Sequence, residues 1–212
     1  MAFVGFEGLD GSGKTSLIQR TVSHLTQSNI DALVTREPGG TPLSEEIRRL
    51  LLRTDGDAPT ARCEILLYEA SRAQHVDRVI KPALDQGRWV LCDRFTASTV
   101  AFQAGGRKIQ ETEVEWLNRF ATSGHEPDLT VLLDLDTDTS LARQQKRFQA
   151  TGEKADRLES EARDFHERVR QAYLRQAKTN PTKWLVLDAS QTLESMFNVL
   201  LNTFQEKKWL VS

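Results

Sequence analysis

The chain reads Gly8-Leu9-Asp10-Gly11-Ser12-Gly13-Lys14-Thr15 between an apolar stretch, Phe3–Phe6, and a segment with helical periodicity that starts near Lys14. The sequence matches the pattern G-x-x-x-x-G-K-[ST] in full. This pattern forms a phosphate-binding loop where it joins a strand to a helix, and both flanks have the required character. The beginning of the chain therefore predicts a site for a nucleoside triphosphate.

Each residue type in this loop has a chemical task. Gly8, Gly11 and Gly13 let the backbone curve tightly, so that its N–H groups can point at phosphate oxygens. Lys14 is expected to neutralise charge between the β- and γ-phosphates, and Thr15 to offer its hydroxyl to Mg²⁺. We expect the loop to bind ATP through Gly8, Asp10, Gly11, Ser12, Gly13, Lys14, Thr15 and Ser16.

Short apolar stretches alternate with helical segments along the chain. The stretches show little polar alternation, which is typical of strands covered on both faces. They are Ala2–Phe6, Ala32–Thr35, Trp89–Cys92, Leu129–Leu135 and Trp184–Leu187. Helical periodicity covers Lys14–Ser28, Pro42–Leu52, Ala61–Asp85, Glu111–Ala121, Ser140–Arg147, Ala155–Lys178 and Leu193–Gln205. This order predicts an α/β fold with a five-stranded parallel sheet and helices on both faces, in a single domain over residues 1–212.

Composition narrows the classes of partner. The 212 residues include 28 Lys plus Arg and 30 Asp plus Glu, a formal net charge of −2. This balance argues against a protein that binds nucleic acid or an anionic membrane by bulk charge. The apolar runs are too short for a transmembrane helix, and a strand from Ala2 leaves no room for a signal peptide. The two cysteines lack metal-ligand spacing, so we expect a reducing cytoplasm.

Charged residues follow two of the predicted strands. Asp93 and Arg94 come directly after Trp89–Cys92, and Arg36 comes after Ala32–Thr35. The carboxyl ends of parallel strands face the ligand crevice. Asp93 is therefore expected to help hold Mg²⁺, and the two arginines to bind the phosphate of a monophosphate acceptor. The alternatives are a surface Asp93–Arg94 ion pair and a solvated charge at Arg36.

The combination of these motifs resembles the thymidylate kinase family of P-loop nucleoside monophosphate kinases, and the resemblance covers essentially the whole chain. The motifs that carry it are Phe6–Thr15, the string Thr35-Arg36-Glu37-Pro38-Gly39-Gly40-Thr41, Asp93-Arg94-Phe95 with Ser98-Thr99, Pro127–Thr130 and Asp156–Glu159. The resemblance implies a P-loop kinase fold with a short mobile lid over about residues 143–159. It implies a cytoplasmic homodimer that uses ATP and Mg²⁺ to convert dTMP into dTDP for dTTP synthesis.

The resemblance also implies how the acceptor is held. Asp10 would contact the 3′-hydroxyl of the sugar, and Arg36 and Arg94 the 5′-phosphate. Tyr68 would stack on the thymine ring, where the family often has Phe, and Arg72 would hydrogen-bond the carbonyl edge of the base. Further contacts are implied for Ser98, Thr99, Phe102 and Gln103, with Phe102 near the 2′ position of the sugar. The alternatives are that Tyr68 belongs to the core and that Arg72 pairs with Glu69.

Catalysis requires positive charge over the transferred phosphoryl group. One branch of the family supplies it from an arginine in the phosphate loop, where this chain has Gly11; the other, mostly bacterial, branch uses basic lid residues. The lid here offers Arg143, Lys146 and Arg147. We predict that Arg147 reaches the phosphates and that Arg143 packs against ATP, with the reverse order and Arg157 as open alternatives. The expected catalytic set is Lys14, Asp93, Arg94 and Arg147.

Other functions compete with this interpretation. A kinase for another nucleoside monophosphate, or for a nucleoside, would share the loop and differ at the base contacts. A non-catalytic, ATP-gated interaction protein would keep only the fold. A regulatory GTPase is disfavoured because no Asn precedes a Lys, as guanine recognition by N-K-x-D requires. A nucleic-acid-dependent ATPase is disfavoured by the near-neutral charge.

Overall fold

One parallel sheet organises the molecule. The structure is a computed structural model and describes residues 1–210. Its five strands lie in the order β2-β3-β1-β4-β5, and every neighbouring pair is parallel. The strands are β1 Phe3–Glu7, β2 Ala32–Arg36, β3 Trp89–Asp93, β4 Leu129–Asp134 and β5 Trp184–Asp188. The prediction of a five-stranded parallel sheet is confirmed.

Nine α-helices within residues 1–210 connect and cover the strands. They are α1 Lys14–Gln27, α2 Pro42–Leu52, α3 Ala61–His75, α4 Lys81–Asp85, α5 Thr96–Thr99, α6 Glu111–Thr122, α7 Thr137–Thr151, α8 Arg163–Thr179 and α9 Leu193–Glu206. A π-helical segment, Val76–Ile80, joins α3 to α4, and a second, Val100–Gly106, follows α5. None of these helices combines the length and the apolar character that a bilayer crossing demands.

The helices bury both faces of the sheet, as predicted. On one face, Val4 and Phe6 of β1 share a core cluster with residues of α1 and α9. Phe3, which points the opposite way, packs with the segment Val76–Ile80 and with β3. Part of β4 and the aromatic side of α8 form a third cluster. A central strand that is apolar on both faces is what the continuous hydrophobic stretch indicated.

Two expectations about helices were wrong. The predicted helix over 155–178 begins only at Arg163, because Asp156 accepts hydrogen bonds from the backbone N–H groups of Leu158 and Glu159 and closes a turn instead. Conversely, α7 is longer than predicted: Asp136 caps its first turn by accepting from Thr139 N, and Gly152, with φ of 72°, ends it. The sequence analysis also missed α5 and the segment Val100–Gly106.

The strand register brings the charged strand ends together. Asp93 of β3 is the register partner of Arg36 in β2 and, on its other edge, of Phe6 in β1. The phosphate loop follows β1 directly. The carboxyl ends of β1, β2 and β3 therefore form one edge, and the site is built there.

Candidate active site

A cavity of about 750 Å³ opens at this edge of the sheet. It collects most of the residues that the sequence analysis singled out. They are Asp10, Gly11, Gly13, Lys14, Thr15, Ser16, Arg36, Tyr68, Arg72, Asp93, Arg94, Ser98, Thr99, Phe102, Gln103 and Arg147. A site of this size and polarity fits small charged ligands.

The phosphate loop has the conformation that its glycines were expected to permit. Gly8 and Gly11 have φ of 135° and 79°. A Cβ at Gly8 would lie 2.5 Å from the carbonyl oxygen of Leu133, so only glycine fits there. The side-chain hydroxyl of Ser12 is buried and has no hydrogen-bond partner within residues 1–210. This hydroxyl is therefore available to donate to a phosphate oxygen of a nucleotide in the loop.

Lys14 is held beneath the loop. Its Nζ donates to the carbonyl oxygens of Gly8 at 3.0 Å and Leu9 at 3.1 Å, and lies 3.8 Å from Asp10 Oδ1. Burial lowers the pKa of Lys14, and the positive charge of Arg94 adds to this effect. The ammonium is thus fixed in place and poorly solvated, which favours the arrival of a phosphate anion.

Arg94 is the second cation that contacts Asp10. Its backbone has φ of 69°, and its Nη2 donates to Asp10 Oδ1 at 2.7 Å. Its Nη1 donates to the hydroxyls of Tyr173 at 3.1 Å and Ser98 at 3.4 Å. Burial alone would raise the pKa of Asp10, but the charges of Arg94 and Lys14 outweigh it and hold the pKa well below its usual range. Asp10 is therefore an anion whose Oδ1 is close to two cations, Lys14 and Arg94.

Arg36 reaches the same cavity from β2. It is more than half exposed, and its Nη2 lies 3.1 Å from Glu45 Oε2. Glu45 also accepts from the backbone N–H of Gly40, in the loop before α2. The structure thus brings Arg36 and Arg94 to one cavity, with Arg36 more exposed than Arg94.

Arg72, which was expected to contact the base, already makes hydrogen bonds to several other groups of the protein. Arg72 is buried and donates to Glu37, Glu69, Thr99, Asn118 and the Phe95 carbonyl. The pairing of Arg72 with Glu69 that was left as an alternative therefore exists. Arg72 nevertheless lines the cavity, so its contact with a base stays a prediction.

Around Arg72, the other expected acceptor contacts form the cavity wall. Phe102 packs against Tyr173 and lies under the Arg94 guanidinium, 5.1 Å from ring centroid to Cζ. Gln103 is buried and donates to Glu64 at 2.9 Å. Tyr68 is half-buried and joins the apolar cluster beside α8, so the core interpretation holds in part, yet its ring also lines the cavity.

The lid arginines differ in where they lie. Arg147 lines the cavity and is held by Glu159, with 2.5 Å between Nη2 and Oε1. Arg143 donates to the carbonyls of Gly11 and Ala189 at the back of the phosphate loop. Arg157 is turned into the protein, where it pairs with Glu64 at 2.6 Å. Lys146 is exposed on α7.

Comparison with known proteins identifies the family. The family model described as thymidylate kinase matches residues 6–199. The chain belongs to the thymidylate kinase family. It is 57% identical to the thymidylate kinase of Bdellovibrio bacteriovorus over 210 residues, which cover 99% of this chain and 98% of the relative. It is 45% identical to that of Enterococcus faecalis over 194 residues, which cover 91% of this chain and 90% of the relative.

A solved structure agrees with this assignment. The crystal structure of thymidylate kinase from Ehrlichia chaffeensis matches with a TM-score of 0.75 and 30% identity, over 96% of this chain and 98% of that chain. The prediction of a P-loop kinase fold is confirmed. As a member of the thymidylate kinase family, the protein is an ATP-dependent nucleoside monophosphate kinase.

Sequence analysis missed two residues that shape this site, Glu7 and Tyr173. Glu7, at the end of β1, is buried and accepts from the backbone N–H of Phe95 at 2.8 Å and from the hydroxyls of Ser98 at 2.6 Å and Tyr173 at 2.9 Å. Burial raises the pKa of Glu7, although Arg94 opposes the effect. Glu7 could have been identified from the sequence, because it is a carboxylate at the end of an apolar strand. Nothing in the sequence distinguishes Tyr173 from other residues of α8.

Proposed function

We propose that the cavity binds the phosphates of ATP at Lys14 and the phosphate of dTMP at Arg94, and transfers the γ-phosphoryl group of ATP to the 5′-phosphate of dTMP, giving dTDP and ADP. The observation that carries this proposal is the arrangement Lys14–Asp10–Arg94. One carboxylate oxygen, Asp10 Oδ1, lies 3.8 Å from the buried ammonium of Lys14 and 2.7 Å from the largely buried guanidinium of Arg94. Lys14 belongs to the ATP loop, and Arg94 follows the neighbouring strand β3. Each cation can therefore receive the phosphate of a different nucleotide.

The chemistry that follows needs no general base. The 5′-phosphate of dTMP already carries the anionic oxygen that attacks the γ-phosphorus. Lys14 and Arg94 reduce the repulsion between the two phosphate groups and stabilise charge in the transition state. A lid over the cavity excludes water, which would otherwise compete as the acceptor.

Mg²⁺ fits the oxygen donors at the ATP side. Thr15 Oγ1 and Asp93 Oδ2 lie 3.4 Å apart and both residues line the cavity. Residues 1–210 contain no cluster of three or more His, Cys, Asp or Glu side chains that could hold a metal ion, so Mg²⁺ would take its other ligands from phosphate and water. When bound, Mg²⁺ supplies charge neutralisation between the β- and γ-phosphates.

The acceptor side matches a deoxynucleotide with a flat base. Asp10 is ionised and can accept from a 3′-hydroxyl, and Arg36 can exchange Glu45 for the 5′-phosphate. The Tyr68 ring offers a stacking surface, and the buried Arg72, Thr99 and Gln103 offer polar groups at the cavity wall. Phe102 narrows the cavity beside Arg94, where a 2′-hydroxyl would crowd it.

Arg147 is the lid residue assigned to the transferred phosphoryl group. We expect Arg147→Ala to lower kcat for dTDP formation about 100-fold, because one cation over the transition state is lost, while ATP still binds the loop. The measurement is ADP release from ATP–Mg²⁺ with and without dTMP, together with calorimetric ATP binding. The control is Arg175→Ala, an exposed arginine on α8 outside the cavity. Equal loss of kcat in both variants, or none in Arg147→Ala, would remove Arg147 from the mechanism.

A homodimer is proposed on an exposed apolar face. α2 packs on α3, and α3 on α6. Together these three helices leave large apolar side chains in solvent, namely Leu43, Leu50, Leu66, Trp116 and Phe120. Trp116 and Phe120 stack with ring centroids 5.7 Å apart, and Leu66 and Trp116 line a shared groove. Large exposed apolar side chains on neighbouring helices are typical of an interface between subunits.

Sedimentation velocity tests the dimer. The wild type is expected to sediment at twice the mass of the chain, and Trp116→Glu combined with Phe120→Glu as a monomer, because charge on this face opposes burial. Val199→Glu, on the exposed side of α9, is the matched control and should remain dimeric. A monomeric wild type would exclude the proposal.

A reducing compartment such as the cytoplasm suits the free thiols of Cys63 and Cys92.

A further inference from the structure

Glu64 of α3 is a buried carboxylate that the reaction itself does not require. Its side chain is fully buried and accepts from three residues. Its Oε1 accepts from Gln103 Nε2 at 2.9 Å and Arg107 Nε at 3.1 Å. Its Oε2 accepts from Arg107 Nη2 at 3.1 Å and lies 2.6 Å from Arg157 Nη1. One carboxylate thus joins the acceptor wall, through Gln103, to the lid, through Arg157.

Arg157 fastens the lid at more than one point. Its Nε donates to the carbonyl of Leu51 at 2.9 Å, and its backbone N–H donates to the carbonyl of Leu52 at 3.3 Å. These contacts connect the lid to the carboxyl end of α2, while Glu64 connects it to α3. An arginine held by a buried carboxylate and by backbone at the same time has little freedom to leave.

The fastened turn is the one that holds Arg147. Asp156 Oδ1 accepts from Leu158 N at 2.8 Å and Glu159 N at 2.9 Å, so residues 156–159 form a closed turn around Arg157. Glu159 Oε2 accepts from the backbone N–H of Asp156 at 3.0 Å, and its Oε1 pairs with Arg147. A displacement of Arg157 would therefore move Glu159 and release Arg147 from the cavity.

We propose that Glu64 and Arg157 form a buried tether that positions Arg147 over the cavity by fixing the lid turn at residues 156–159. Glu64 and Arg157 are positioning residues in this proposal, since neither lines the cavity. The tether rests on the proposed role of Arg147. It assigns Arg157 to the lid anchor and not to the phosphates, which the sequence analysis had left open.

The test compares Glu64→Gln, Arg157→Gln and the double variant. Each single change is expected to lower kcat about tenfold and to increase the share of ADP released without dTDP, because a loosened lid admits water. The double variant should be no worse than either single one, because both remove the same tether. Hydrogen exchange without nucleotide should be faster in the peptide that contains residues 152–160. Arg163→Gln, which breaks the exposed lid-flanking pair with Asp138, is the matched control and should change none of these readouts.

The outcomes separate the tether from its rivals. If Arg157 acted on the phosphates directly, Glu64→Gln would free it and kcat would not fall; this result overturns the proposal. Multiplied losses in the double variant, or unchanged hydrogen exchange at 152–160, also overturn it. If Glu64→Gln fails to fold, the test compares hydrogen exchange of residues 152–160 in Arg157→Gln and Arg157→Lys. The tether predicts slower exchange in Arg157→Lys, which keeps a positive charge beside Glu64, and equal exchange in the two variants overturns it. If Arg147→Ala keeps the kcat of the wild type, the proposed role of Arg147 is wrong, and the tether proposal fails with it. If kcat falls in Arg147→Ala but not in Glu64→Gln, only the tether proposal is wrong.

Discussion

Replacement of Lys14 with alanine is expected to lower kcat for dTDP formation about 1000-fold, the upper range for loss of one fixed charge over a transition state. Lys14 is the cation nearest to the ATP loop carbonyls, and its side chain is only 6% exposed. No other lysine in the described chain could replace it without rebuilding the loop, since Lys14 Nζ is held by the carbonyls of Gly8 and Leu9. The measurement is a coupled assay of ADP release with saturating ATP–Mg²⁺ and dTMP.

A matched control keeps this result interpretable. Lys81→Ala removes an exposed lysine at the start of α4, far from the loop, and should leave kcat unchanged. Circular dichroism of Lys14→Ala should match the wild type, because the loss is local to the loop. A Lys14→Ala protein that kept kcat within tenfold of the wild type would contradict the placement of the γ-phosphate at Lys14.

Arg94→Ala is expected to lower kcat/KM for dTMP about 100-fold or more, because it removes a desolvated cation and leaves Asp10 without its 2.7 Å partner. KM for ATP should change far less, since the proposed partner of Arg94 is the 5′-phosphate of dTMP. The measurement is the full dependence of initial rate on both substrates. An equal fall in kcat/KM for ATP and for dTMP would instead indicate that the substitution disrupts the whole site.

Tyr173→Phe provides a graded control for Arg94. It deletes one hydroxyl that accepts from Arg94 Nη1 and donates to Glu7, and it leaves the guanidinium in the site. The expected loss in kcat/KM for dTMP is about tenfold, the lower end for the loss of a hydrogen bond to a charged group such as the Arg94 guanidinium. A loss as large as that of Arg94→Ala would mean that Tyr173 itself contacts the acceptor.

The sequence predicted the sheet and the phosphate loop well because both depend on local signals. A four- to seven-residue apolar stretch and a glycine pattern are readable without knowledge of the fold. The positions of Asp93, Arg94 and Arg36 followed from the rule that parallel strands present their carboxyl ends at one edge, and the register Arg36–Asp93 confirmed it.

What the sequence could not supply depends on contacts between distant residues. Arg72 was predicted to contact the base and Gln103 to contact the base or the sugar, yet both are already hydrogen-bonded to buried carboxylates. Arg72 donates to Glu37 and Glu69, and Gln103 donates to Glu64. Helical periodicity predicted one helix over residues 155–178, but residues 156–159 form a turn in which Asp156 accepts backbone hydrogen bonds, and the helix begins only at Arg163. Tyr173 lies 79 positions after Arg94, and only the packing of α8 brings them together.

The most direct test of the account is ADP release from ATP–Mg²⁺ across dTMP, dUMP, dCMP, dGMP, AMP and no acceptor. The arrangement of Arg94, Asp10 and Tyr68 predicts strong stimulation by dTMP, weak stimulation by dUMP and almost none by the others. A preference for another nucleotide would keep the phosphate chemistry and contradict the base contacts. No stimulation by any acceptor, with ATP still bound, would contradict phosphoryl transfer itself.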